Sequence, residues 1–162
     1  MSRKKPEDPG DPAAARVRAL RLLARREHGA GELQYKLGQR GIDPDCAAEA
    51  VRDLARTGWQ SDARYVSSLV RGRIAQGYGP LRIQAELEGA GVADSLIRTA
   101  LAESGTDWKA LAAASHARRF ERPRTAAEWQ KQYRYLAGRG FEPEQIHAVL
   151  RAEAPPEPDG GD

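Results

Sequence analysis

Apolar residues recur along most of this chain at intervals of three and four, the spacing of one face of an α-helix. Tyr65, Val66, Leu69, Val70 and Ile74 form one such arc; Val17, Leu20, Leu23 and Ala24 form another. No stretch alternates with period two, and Val, Ile and Thr together number 15, so sheet is not expected. Helix starts are marked by proline in Asp43-Pro44, Gly79-Pro80 and Glu142-Pro143, because a first-turn proline gives up no hydrogen bond. Thr125-Ala-Ala-Glu128 fits a capping box, and Ser61 before Asp62 and Thr106 before Asp107 place caps with acid in the first turn. The pattern predicts helices near 13–27, 30–40, 44–57, 61–76, 80–90, 94–104, 106–120, 125–138 and 143–153.

These helices fall into an internal repeat. Leu37-Gly-Gln-Arg-Gly41-Ile42 returns as Leu87-Glu-Gly-Ala-Gly91-Val92 and as Leu136-Ala-Gly-Arg-Gly140-Phe141. The match continues through Ala47, Ile97 and Ile146, then Ala50, Ala100 and Val149, then Val51, Leu101 and Leu150. A glycine at a fixed distance after a leucine reads as a helix C-terminus, where a left-handed residue lets the chain cap its own carbonyls. The expected fold is all-α: three tandem three-helix repeats, over 13–58, 59–105 and 106–153, in an elongated array. The third copy departs from the others, with Gln132 where Leu33 and Ile83 stand and with Trp129 and Tyr133 supplying bulk. The ends, 1–12 and 154–162, are polar and proline-rich and are expected to be disordered, the second being acidic.

Composition narrows the function. The chain has 162 residues, 26 basic and 23 acidic, and a mean hydropathy of −0.68. No window approaches the ~18 apolar residues of a membrane span. The basic start, Met1 to Pro9, has no apolar run behind it, so neither a secretory signal nor a membrane partner is expected, and the cytoplasm is the expected compartment. The first and third repeats are each more basic than acidic by three, while the second is balanced. Arginine accounts for 21 of the basic residues, a bias that fits an anionic partner as well as solvated helix faces.

No catalytic constellation is found, and neither a cofactor nor a metal is expected. His28, His116 and His147 are far apart and lack ligand spacing. Cys46 lies near a helix start, which could lower a thiol pKa, but it has no histidine base beside it and reads as an idle thiol. Gly77-Tyr78-Gly79-Pro80 lacks the strand and the Lys-Ser/Thr of a phosphate loop and reads as a turn between helices. The candidate partner-binding residues are arginines. Arg18, Arg21 and Arg25 form a stripe opposite the apolar side of the first helix, and Arg118, Arg119, Arg122 and Arg124 surround Phe120 at a helix end and loop. Arg73 projects into an apolar arc and needs a carboxylate, either Asp62 or Glu86, in a structural ion pair.

The run Gly58-Trp-Gln-Ser-Asp62-Ala-Arg-Tyr65 through Arg73, followed by Gly77-Tyr-Gly79-Pro-Leu-Arg-Ile83-Gln-Ala-Glu86-Leu87 and Gly91-Val92, closely resembles the central module of the RecX family. Glu32-Leu33-x-x-Lys36-Leu37-x-x-x-Gly41 and Tyr135-Leu136-x-x-Arg139-Gly140-Phe141 extend the resemblance over roughly 15–152, with Gly29 standing where the family commonly has a serine cap. The resemblance implies a non-enzymatic bacterial regulator, a monomer that binds the RecA–DNA filament and inhibits its ATPase, strand-exchange and coprotease activities. The competing reading is a direct, largely nonspecific binder of single- or double-stranded DNA.

Overall fold

The computed structural model describes residues 8–152. Among them it has nine helices and no strand. The helices are α1 (Pro12–Leu23), α2 (Ala30–Gln39), α3 (Pro44–Arg56), α4 (Asp62–Ala75), α5 (Pro80–Gly89), α6 (Asp94–Glu103), α7 (Trp108–Ala117), α8 (Ala126–Gly138) and α9 (Pro143–Ala152).

Two boundaries differ from the sequence pattern by more than a residue or two. α1 ends at Leu23, not near 27, with Ala24 as its C-cap. It starts at Pro12, where the Asp11 side chain accepts a hydrogen bond from Ala13 N, so Pro12 is a fourth proline at a helix start and not tail. α7 runs from Trp108 to Ala117, within the expected 106–120, because Asp107, not Thr106, caps it through Ala110 N. The disorder expected for residues 1–7 and 154–162 lies outside the described residues.

The repeat glycines do what their position requires. Gly41, Gly91 and Gly140 have φ of 84°, 78° and 93°. In each case the following residue returns to the leucine five earlier: Ile42 N to Leu37 O at 3.1 Å, Val92 N to Leu87 O at 3.1 Å, and Phe141 N to Leu136 O at 3.2 Å. The glycine N–H itself donates to the carbonyl three residues back, completing a Schellman motif. The leucine and the residue after the glycine are buried in all three copies.

The chain forms two compact units, one through Ser68 with Leu87–Ile97, the other Leu69–Glu86 with Arg98 onward. In the first, α3 lies across α1 and α2 and buries Ala47, Ala50, Val51 and Leu54 against Ala15, Ala19, Leu22, Leu33, Leu37 and Ile42. The buried face of α1 is thus Ala15, Ala19 and Leu22; Val17 is 47% exposed and Ala24 is exposed. Leu20 and Leu23 of the arc read from the sequence are partly buried against this core, but a reading weighted to bulky side chains passes over Ala15 and Ala19, because alanine marks a core position through the close helix approach that it permits. In the second unit α9 packs on α7 and α8, joining Ile146, Val149 and Leu150 to Ala112, Leu136 and Phe141. There Gln132 is buried with a polar partner: its amide oxygen accepts from His116 Nε2 at 2.7 Å, and its Nε2 donates to the Glu121 carbonyl at 3.1 Å.

Candidate functional site

The four-residue connection before α5, residues 76–79, organises one surface of the second unit. Gly79 N donates to Arg139 O at 2.8 Å and Leu81 N donates to Gly140 O at 2.9 Å. Donors at the start of α5 thereby meet acceptors at the end of α8, a favourable alignment of helix dipoles. Arg139 fastens the same junction: its Nε donates to Gly77 O at 3.2 Å and its Nη2 to Gln76 O, and Ser115 Oγ adds a bond to Gly77 O at 3.0 Å.

Aromatic rings and arginines alternate around this junction. Arg82 and Arg139 each place the guanidinium carbon 4.1 Å from the Tyr78 ring centre. Arg139 also lies 5.9 Å from the Tyr135 ring, and Arg119 lies 4.8 Å from Tyr135 and 5.8 Å from Phe120. Phe120 meets Tyr135 edge-on at 5.2 Å. The result is a ladder, Arg82–Tyr78–Arg139–Tyr135–Arg119–Phe120, held by cation–π contacts. Beside its first step an open groove of about 590 Å³ is lined by Arg73, Gln76, Tyr78, Arg82, Ala85 and Glu86. Arg82 and Arg139 figure in the sequence only as positions of the repeated motifs and not as candidate contact residues, since Arg139 lies more than 60 residues from the turn it fastens.

The arginines singled out from sequence are divided. Arg118 is the C-cap residue of α7, Arg119 belongs to the ladder, and Arg122 and Arg124 line a cleft of about 380 Å³ shared with Glu121, Glu128 and Lys131. Arg18 is half-buried and borders the core face of α1, a departure from a stripe wholly opposite it, while Arg21 and Arg25 are exposed. Arg25 lies beyond the end of α1, in a cleft of about 350 Å³ with Arg26, His28, Lys36 and Arg40.

Arg73 is paired with Glu86, Nε to Oε2 at 2.8 Å and Nη2 to Oε1 at 2.5 Å, with Nη1 donating to Gln76 Oε1 at 3.3 Å. This bidentate contact is about one-third exposed on each side. Asp62 has a different task. It accepts from Ala30 N at 2.8 Å and from Gln60 Nε2 at 2.9 Å, so a carboxylate 32 residues downstream caps α2, where the N-cap Gly29 has no side chain to do so. The missing serine is thereby replaced in space. The residue before each repeat leucine, Lys36, Glu86 or Tyr135, meets a different partner: Glu32 at 3.3 Å, Arg73, and Arg119.

His28 is 2% exposed, and its surroundings favour the neutral imidazole. Its Nδ1–H donates to Arg26 O at 2.9 Å, and its Nε2 accepts from Lys36 Nζ at 3.3 Å. Burial, with the charges of Arg26 and Lys36, holds its pKa below the ordinary 6.5, although the Arg26 carbonyl and Glu32 act in the opposite sense. For Glu32, burial pushes upward, but the hydrogen bonds and charges of Arg26 and Lys36 prevail and keep it ionised. Because the unfolded chain binds a proton at His28 more readily, this residue's stability contribution is complete above pH 6.5 and declines as pH falls below it. Denaturant unfolding at about pH 7.5 and about pH 5 should show that decline, and His28→Gln should flatten it.

The remaining candidates for chemistry are dispersed. His116 bonds Gln132, and His147 packs 5.8 Å from Trp129 and 5.5 Å from Tyr133. The Cys46 thiol is pushed up, not down, by partial burial and the carboxylates of Asp43 and Glu49, which outweigh the helix start. No group of His, Cys, Asp and Glu with metal-binding geometry occurs among the described residues. None of their helices is long and apolar enough to cross a membrane.

Comparison with known proteins agrees with this architecture. Residues 15–54, 61–101 and 109–150 match the first, second and third three-helix domains of RecX. The Regulatory protein RecX of Chromohalobacter salexigens is 44% identical over 142 residues, 86% of this chain and 93% of the relative. That of Xanthomonas campestris pv. campestris strain B100 is 43% identical over 136 residues, 83% of this chain and 84% of the relative. The crystal structure of RecX from Lactobacillus salivarius shares the fold with a TM-score of 0.72 at 22% identity, covering 87% of this chain and 95% of that one. With three modules matched in order and close relatives aligned along most of its length, this chain belongs to the RecX family.

Proposed function

We propose that this chain is a non-catalytic negative regulator that binds the RecA–DNA filament and suppresses its ATPase, strand-exchange and coprotease activities. The observation that carries this reading is the family membership itself: all three modules match, and the relatives are named regulatory proteins. The dispersed histidines and the raised thiol pKa favour binding over catalysis. In this reading Arg73, Glu86 and Asp62 hold the modules in shape, and the arginine clusters face the filament.

Co-sedimentation with preformed RecA filaments on single-stranded DNA tests the proposal; retention with filaments beyond that with the same DNA alone supports it, and equal retention contradicts it. Replacing Arg118, Arg119, Arg122 and Arg124 together with serine removes four exposed charges from a loop, so circular dichroism should be unchanged. Filament binding should weaken and become less sensitive to salt. Replacing Arg18, Arg21 and Arg25 should have the smaller effect, since Arg18 also borders the α1 core. Unchanged affinity and salt dependence in the quadruple variant would make that cluster a bystander.

A further inference from the structure

We infer that Trp59, on the turn between α3 and α4, is an anchor for an apolar pocket on a RecA subunit, a contact to the protein of the filament and not to its DNA; the inference rests on the filament binding proposed above. The argument begins with exposure. Of the three tryptophans, Trp108 and Trp129 are half-buried, whereas Trp59 is 60% exposed. Thr57 and Gly58 beside it are exposed as well, so the turn lies at the surface.

The backbone that carries this ring is fixed on both sides. Before it, Gly58 has a φ of 84° and its N–H donates to Ala55 O at 3.2 Å. Arg64 Nη2 donates to Gly58 O at 2.7 Å and to Trp59 O at 3.1 Å, while its Nε donates to Glu27 Oε1 at 3.1 Å. After it, Gln60 is buried: its N–H donates to Leu54 O at 3.0 Å, and its side-chain amide to His28 O and Asp62 Oδ1. A large aromatic side chain with two rotatable bonds on a fixed backbone loses little freedom when a partner covers it, and Trp is among the residues most enriched at interface hot spots. Charge then decides between protein and DNA. A single-strand platform joins its ring to cations that track the phosphates. Arg56 and Arg64, the arginines at this turn, are instead each paired with a carboxylate, Asp53 at 2.8 Å and Glu27 at 3.1 Å. An aromatic centre with neutralised polar pairs at its rim has the composition of a protein interface.

The test titrates the full-length protein against preformed RecA filaments on oligothymidylate, by co-sedimentation at two salt concentrations, and against the same oligonucleotide alone, by fluorescein anisotropy. Trp59→Ala should bind filaments about tenfold more weakly or worse. The factor should be the same at both salt concentrations, because the lost contact is apolar. Trp59→Tyr should keep part of the affinity, and both variants should melt like the wild type, since the side chain is exposed. Arg64 is a positioning residue: Arg64→Ala should weaken filament binding in the wild type but add little in the Trp59→Ala background, a coupling that a merely structural role would not produce. If the wild type binds filaments and Trp59→Ala binds them equally well, the inference is overturned while the proposed regulation stands. A wild type that does not bind filaments at all would overturn the proposed regulation, and the inference with it. A loss on oligothymidylate alone equal to that on filaments would make Trp59 a base-stacking residue, against the inference. A loss on filaments that disappears at the higher salt concentration would overturn the apolar anchor.

Discussion

Replacing Gly79 with alanine should lower the melting temperature by roughly 6–12 °C, the consequence of a loss of about 3 kcal/mol or more. A Cβ on Gly79 would run into the Gly140 carbonyl group and lie 2.5 Å from Phe141 N. Neither obstacle is the free end of a flexible side chain; both are backbone. Relief would require separating the start of α5 from the end of α8 and stretching the bonds from Gly79 N and Leu81 N. Gly140→Ala should be at least as harmful, because its φ of 93° adds strain and its Cβ would lie 2.5 Å from Arg82 N. Gly91→Ala supplies the comparison. It has a similar φ of 78° but open space around it, so it should lose only the roughly 1–2 kcal/mol of a left-handed alanine. Equal melting temperatures for the Gly79 and Gly91 variants would show that the close approach at Gly79 is unimportant.

Replacing Asp62 with alanine should lower the melting temperature by roughly 2–8 °C, from a loss of about 1–2 kcal/mol. Two donors, Ala30 N and Gln60 Nε2, lose their acceptor together. Gln60 is itself buried and also donates to His28 O at 3.2 Å, so its amide cannot simply turn to solvent. Asp62→Asn keeps an acceptor oxygen without the charge and should recover most of the loss. A second rescue should come from Gly29→Ser only if the tight spacing there allows it: a Cβ on Gly29 would lie 3.1 Å from the Tyr65 ring. The expected result is therefore little or no rescue by serine, and full rescue would show that the cap alone matters.

These two sites show what the sequence made legible and what it did not. Periodicity and proline starts located the helices, since both record local backbone rules, and the Leu37, Leu87 and Leu136 repeats announced their Schellman ends. The α1 face was only partly legible: Leu20 and Leu23 do pack on the core, but its fully buried positions include Ala15 and Ala19, whose small size is the feature that matters. Capping of α2 was illegible for a different reason: the N-cap Gly29 has no side-chain acceptor, and the one used comes from Asp62. Arg73 was legible as an arginine needing a carboxylate, but the choice between Asp62 and Glu86 depended on packing. Likewise Tyr78 read only as part of a turn, because the arginine that fastens it, Arg139, belongs to the next repeat. Short-range rules are written in neighbouring letters; contacts between repeats are not.

The central claim is regulation of RecA, and its most direct measurement is the RecA ATPase on single-stranded DNA as this protein is added. If the chain acts on the filament as proposed, inhibition should appear at amounts well below those needed to saturate the DNA. Inhibition only once the DNA itself is covered, or none at all, would contradict the proposal.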